Sequence, residues 1–342
     1  MYKAEEIDSL AAPPGYVSLC QGKVIAREDS LAGLSNLDTI IFDLDGVIFD
    51  PSESIMSAHP IATQLWLEQF RGLVQCDRLV SAMDVAELKL AGGFNDDWNI
   101  ASAIALFYSV MACYHKTADG HSLLRIAPSL SDCARGSAGY GGGIAGVREW
   151  LRGCAGFDEF TEGESLWDGA QAARVFMEVV SGPHCNEMYG FSAETYSGQG
   201  AIVNDKLLVD VRTLDLPYRQ AVFSGRTLGE IHVGFRLTGL DGWITDERII
   251  SVDDGMPKPH GKPIQILADR LGTKTGAFVG DNPDDFRSVV LYRHLDDRPF
   301  YAISVIFGVL QEESRETFVG LGSDMIAPDL RFVAQALREL KR

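Results

Sequence analysis

The chain has 342 residues, of which 46% are apolar, and a formal net charge of −18. That length allows more than one domain with a full core. So acidic a chain repels a phosphate backbone, and no basic amphipathic stretch marks a membrane surface, so neither nucleic acid nor a membrane is expected as a partner. The cysteines Cys20, Cys76, Cys113, Cys133, Cys154 and Cys185 stand singly, without CxxC or Cys/His zinc spacing. They read as reduced thiols of a cytoplasmic protein. The start, MYKAEEIDSL, is polar and acidic, unlike a signal peptide.

In chain order, residues 1–37 form an N-terminal extension in which GYVSLC and KVIARE suit a small hairpin. TIIFDLDG, residues 39–46, is a β-rich apolar run ending in Asp and Gly, the pattern of a buried strand. Residues 51–218 read as a mainly helical insert. Within it, IASAIALFYSVMACY (100–114) is shorter than the ~20 residues a membrane span needs and reads as a buried helix. Asn95 or Asp96 is its expected N-cap. Residues 127–146 are rich in Ser and Gly and read as a loop. GGGIAG (141–146) matches GxGxxG in letters, but no apolar strand precedes it, so a dinucleotide role is disfavoured. It reads as a flexible loop, or as a substrate-side loop whose amides meet an anion. From 219 onward strands alternate with helices: RQAVFSG, RIISV, GAFVGD and YAISVIFG, with a final helix in APDLRFVAQALREL. This predicts an α/β protein: a three-layer, Rossmann-like parallel sheet core from 38–50 and 219–342, interrupted by the insert.

Asp43 and Asp45 lie two positions apart at the end of the first strand, where alternation directs both side chains the same way. Two carboxylates so placed call for a cation. Three further polar stretches fall at strand ends or adjoining loops: VFSGR with Ser224 and Arg226, PKPHGKP with Lys258 and Lys262, and VGDNPDD with Asp281, Asp284 and Asp285. Open parallel sheets bind ligands there. Carboxylates, a hydroxyl and an ammonium suit phosphoryl transfer aided by Mg²⁺. An EF-hand reading of DxDG fails, because Val47 and Ser54 stand where oxygen ligands are needed.

The four stretches, in this order, resemble the four motifs of the haloacid dehalogenase superfamily, in its phosphatase branch. The resemblance covers residues 38–50 and 219–342. It implies that Asp43 is the nucleophile forming an aspartyl-phosphate and that Asp45 is the general acid and base. It also implies that Ser224 binds the phosphoryl oxygens and that Lys258 ties the phosphoryl group to the nucleophile. Mg²⁺ would be held by Asp43, the backbone carbonyl of Asp45 and Asp281, with Asp285 in support. Lys258 is preferred over Lys262, since its spacing to Leu271–Gly272 matches the family. Asp284 stands where the family often has asparagine, as a ligand helper or a helix N-terminal acid. The insert occupies the position of a C1-type cap, larger than usual, with hinges near Phe49–Asp50 and 216–218. Substrate contacts are expected from Gly225 and Arg226, and from Asn95, Asp97 and Trp98 in the insert.

The implied function is a Mg²⁺-dependent phosphatase of a small phosphorylated metabolite. A phosphomutase of the same superfamily is the alternative. Phosphonate hydrolysis would need an insert lysine, with Lys89 and Lys116 as candidates. A non-catalytic binding protein predicts a damaged catalytic set, which this sequence does not have. His59, His115, His121 and His184 make no metal spacing and read as structural or exposed. The oligomeric state stays open.

Overall fold

The computed structural model describes residues 12–341 apart from 75, 77, 78, 95 and 309. Two compact units are present: one takes the chain up to Asp50 and again from Lys206, and the other is Pro51–Asp205. Residues 206–218, read from sequence as part of the insert, belong to the first unit. The crossings fall at 50–51 and 205–206, where β4 (Phe49–Asp50) and β5 (Lys206–Leu207) pair antiparallel.

The first unit is built on a sheet of eight described strands. These are β1 (Tyr16–Leu19), β2 (Val24–Arg27), β3 (Thr39–Phe42), β6 (Arg219–Phe223), β7 (Ile249–Ile250), β8 (Gly276–Gly280), β9 (Phe300–Val305) and β10 (Met325–Ala327), in the order β1-β2-β10-β9-β8-β3-β6-β7. All pairings are parallel except β1 with β2 and β2 with β10. The N-terminal hairpin is therefore no separate extension. It continues the sheet through β2 and β10. No signal in the sequence announced β10, a three-residue strand too short for alternation to be read.

Alternation along β3 decides the layers. Ile40 and Phe42 join one core with Ile231 and Phe235 of the Leu228–Thr238 helix and Val333 and Leu337 of the Leu330–Leu340 helix. Ile41 joins the other, with Ile264 and Leu267 of the Gly261–Leu271 helix and Phe286 and Val289 of the Pro283–Tyr292 helix. All four β3 side chains are buried, as a strand covered on both faces requires. Burying one such Phe or Ile contributes about 1.5–3 kcal/mol. The register sets Ile41 beside Ala221 of β6 and Phe278 of β8. The ends of β8, β3 and β6 are thus neighbours, and the residues that follow them converge.

The second unit is helical. Its centre is the Asp97–Tyr114 helix, buried continuously from Ile100 to Ala112. Among the described residues no helix is long and apolar enough to cross a membrane. Asp96 is the N-cap, its side chain accepting from the N–H of Asn99. The stretch read as a loop at 127–146 contains a helix, Leu130–Ala138. Ser129 opens it with a capping box to Asp132, and Cys133, Ala134 and Ser137 are buried. Small residues, which read as loop, here permit close helix packing.

The glycines of 139–146 serve a backbone contact. Gly143 N–H donates to Gly92 C=O at 2.9 Å, and a Cβ on Gly142 (φ +68°) would collide with the backbone at Gly92. GGGIAG is thus one half of a glycine clasp whose other half is Gly92–Gly93. Gly142→Ala should destabilise the protein by about 1–3 kcal/mol, through forbidden φ and overlap together. A urea titration would read this as a lower midpoint at unchanged slope.

Candidate active site

β3 stops at Phe42, but Asp43 keeps the ladder through its N–H to Val279 C=O, 2.9 Å. Ser224 follows β6 and donates its N–H to Ile250 C=O, 3.0 Å. Asp281 follows β8. Asp285 sits in the first turn of the Pro283–Tyr292 helix, closing a capping box: its carboxylate accepts from Asn282 N–H at 3.0 Å. One carboxylate oxygen each from Asp43, Asp281 and Asp285 lie within 4.8 Å of one another.

Lys258 is the counter-charge. Its Nζ is 2.8 Å from Asp43 Oδ2 and 2.7 Å from Asp285 Oδ1. The ammonium rests above the rings of Phe223 and Phe278, 5.3 and 5.2 Å from their centroids. Those two phenylalanines, the last aromatic residues of β6 and β8, had no sequence mark beyond a core role. Lys262 is exposed and bonds Gln265 at 2.7 Å, so the lysine reaching Asp43 is Lys258.

Burial pushes the Asp43 carboxyl up to about 7; Lys258 opposes this, while Asp285 and Asp45 add to it. Burial also works against the Lys258 charge, but Asp285 and Asp43 outweigh it and hold the ammonium above the ordinary lysine range. Asp43 and Asp285 thus share the Lys258 ammonium, with a carboxylate oxygen of Asp281 close by. The all-oxygen donor set fits a hard divalent cation.

Asp45 does not join this trio. The chain turns after Asp43 instead of continuing as a strand: Leu44 C=O accepts from Ile48 and Phe49 N–H, both at 2.8 Å, and Gly46 takes φ +73°. Strand alternation therefore does not carry through to Asp45. Asp45 pairs with Arg226, Nε to Oδ2 at 2.9 Å and Nη2 to Oδ1 at 2.6 Å. Ser224 is buried, and its Oγ accepts from Arg226 N–H at 3.2 Å. Gly225 lies between them, partly buried. Asp284 is buried, bonded to Arg287 at 2.6 Å, and outside the trio.

No protein-family model matches the chain, and no curated protein matches it. Solved structures do. A structural-genomics target of the Northeast consortium, ZR25, aligns at TM-score 0.56 and 15% identity, over 89% of this chain and 99% of its own. Phosphatase Tt82 from Thermococcus thioreducens aligns at TM-score 0.52 and 21% identity, over 88% of this chain and 99% of its own. In this chain Asp43, Ser224 and Asp281 directly follow β3, β6 and β8, and Lys258 lies in the loop ahead of the Gly261–Leu271 helix. The chain shares the fold of these two structures. A haloacid dehalogenase-like protein of unknown function from Agrobacterium tumefaciens aligns more loosely, at TM-score 0.47 and 13% identity, over 90% of this chain and 100% of its own.

The remaining expected contacts belong to the Pro51–Asp205 unit. Asn95 falls outside the described residues. Asp97 is committed within the unit: its carboxylate is 3.0 Å from His59 Nε2 and 3.2 Å from Lys89 Nζ. Burial raises its pKa, but Lys89 and His59 more than reverse this and hold it below the ordinary carboxylate range. His59 is fully buried and stacked on Phe176 at 4.5 Å. Trp98 meets Tyr189 edge-on, centroids 6.5 Å apart. Neither His59 nor Lys89 could have been paired with Asp97 from sequence, because the pairing depends on helix packing and not on local spacing.

Proposed function

We propose that the protein is a Mg²⁺-dependent phosphatase of a small phosphorylated metabolite, acting through an aspartyl-phosphate on Asp43. One observation carries this reading: Lys258 lies 2.8 Å from Asp43, with the Asp281 and Asp285 carboxylates gathered beside it. Such a group can hold a nucleophile, a cation and a transferring dianion together. Asp43, Asp281 and Asp285 would hold Mg²⁺, which when bound neutralises charge on the phosphoryl oxygens.

A carboxylate oxygen of Asp43 attacks phosphorus. The bond from phosphorus to the leaving oxygen breaks, and that oxygen takes a proton from Asp45. Asp45 then takes a proton from water. The water oxygen attacks phosphorus, the bond to Asp43 breaks, and inorganic phosphate leaves. Ser224 and Lys258 hold the phosphoryl oxygens throughout. The helical unit is read as the insert that selects the substrate. Ionic pairing of Lys89 with Asp97 disfavours phosphonate hydrolysis through Lys89, which would need a free amine. Six free cysteines support a reducing, cytoplasmic setting.

The test is a screen of phosphorylated metabolites with Mg²⁺, reading released phosphate. Release that needs Mg²⁺ is expected; an isomerised ester in place of phosphate would favour a phosphomutase. Gly46 offers a finer check. A Cβ there would overlap the Asp281 carboxylate, at a φ that L side chains rarely adopt. Gly46→Ala should weaken Mg²⁺ binding about 10–100-fold, read by calorimetric titration.

A further inference from the structure

Both oxygens of Asp45 are occupied by one guanidinium, Nε at 2.9 Å and Nη2 at 2.6 Å. Arg226 is the fixed member of this pair. It is 3% exposed, and its guanidinium carbon lies 4.6 Å over the Phe49 ring. Its N–H donates to Ser224 Oγ and its C=O accepts from Val252 N–H, both at 3.2 Å. The next residue, Thr227, opens the Leu228–Thr238 helix with a capping box to Glu230. Asp45 instead rides on the tight turn at Gly46. The arginine therefore dictates where the carboxylate lies.

We propose that Arg226 is a positioning residue that parks the Asp45 carboxylate in this bidentate pair, and that a phosphoryl group arriving beside Asp43 releases Asp45 by taking over the guanidinium. This rests on the phosphatase reading and deepens it. The guanidinium fork suits phosphate oxygens as well as it suits a carboxylate, so exchange of one anion for the other keeps its hydrogen bonds. Ser224, which the same reading assigns to the phosphoryl oxygens, is bonded to the Arg226 backbone, so the binding hydroxyl and the parking side chain belong to one rigid turn. An oxygen that carries a proton to a leaving group is a poor acceptor for a cationic fork, so Asp45 has to leave at least one of its two bonds before it can serve. Parking thereby couples delivery of Asp45 to occupancy of the site, a population shift driven by the anion's differential contacts.

Two measurements decide this. The first compares crystal structures of the full chain with Mg²⁺, with and without inorganic phosphate. The Arg226–Asp45 pair should open beyond hydrogen-bonding distance when phosphate is bound. An intact bidentate pair beside bound phosphate overturns the proposal, and so does a site that takes up no phosphate. The second measures kcat for an alkyl phosphate, whose leaving oxygen needs a proton, against an aryl phosphate, which needs one far less. In Arg226→Met the alkyl-to-aryl ratio should rise at least about threefold, and in Arg226→Lys by less. An unchanged ratio, from equal losses on both substrates, marks a merely structural arginine. A lower ratio marks one that orients Asp45 productively. Either result overturns parking. If the wild-type protein releases phosphate from no ester, the phosphatase reading fails, and the phosphate-bound structure still decides whether Arg226 parks Asp45.

Discussion

Asp43→Asn should lower phosphate release on the order of 10⁴-fold or more while leaving the protein at least as stable. The amide keeps the side chain's shape and an oxygen for the Leu44 N–H, which bonds Asp43 Oδ1 at 2.7 Å. It removes the charge that makes the oxygen a nucleophile. The stability half follows from the buried carboxyl, whose pKa burial raises to about 7. A carboxyl with a raised native pKa binds its proton more tightly in the folded state. Stability then falls as pH rises from the unfolded carboxylate range towards 7, and the loss persists above it. Asparagine does not ionise, so without added cation the variant should melt no lower than wild type at alkaline pH. Phosphate release and thermal melting at about pH 8 check both halves. Lost activity with unchanged or raised melting temperature is the signature of strain held for catalysis. Lost activity with a collapsed fold would indicate a structural carboxylate.

The second large effect concerns the cation. Asp281→Asn should cost about 10²–10³ in kcat, the scale of losing one preorganised electrostatic contact, and should weaken Mg²⁺ binding. The affinity of the wild-type protein should also depend on pH. Below about 7 a proton occupies Asp43 and has to be displaced, so binding should weaken roughly fivefold from about pH 7 to about pH 6 and level off above about 8. Calorimetric titration across that range reads both. Affinity that does not change with pH, or that survives in Asp281→Asn, would place the cation elsewhere.

Much of the candidate site was legible because its polar residues fall into short motifs beside apolar strands. Asp43, Ser224 and Asp281 each follow a strand recognisable from a few apolar letters, and parallel pairing of β8, β3 and β6 gathers them. Lys258 could be preferred to Lys262 by its distance along the chain to Leu271–Gly272. What stayed hidden depends on side-chain direction. The turn at Gly46 sends Asp45 to Arg226, a partner 181 positions away. That is invisible to a reading that extends strand alternation one residue too far. The Leu130–Ala138 helix is hidden because its buried face has one large apolar residue, Leu130, beside Cys133, Ala134 and Ser137, small letters that read as loop. The 206–218 stretch reads as insert because β5 has two residues and the rest is 3₁₀ turn and coil, leaving no period to detect. The Asp97–His59–Lys89 network joins three helices whose packing no local pattern specifies.

In the proposed reaction Asp43 accepts a phosphoryl group beside a cation held by Asp281 and Asp285. Acid quenching of the protein during turnover of a phosphorylated metabolite, followed by peptide mapping by mass spectrometry, tests it most directly. A phosphoryl increment on Asp43, present with Mg²⁺ and absent without it, is the predicted result. A phosphoryl group on another residue such as Ser224, or turnover that proceeds in full without Mg²⁺, would contradict it.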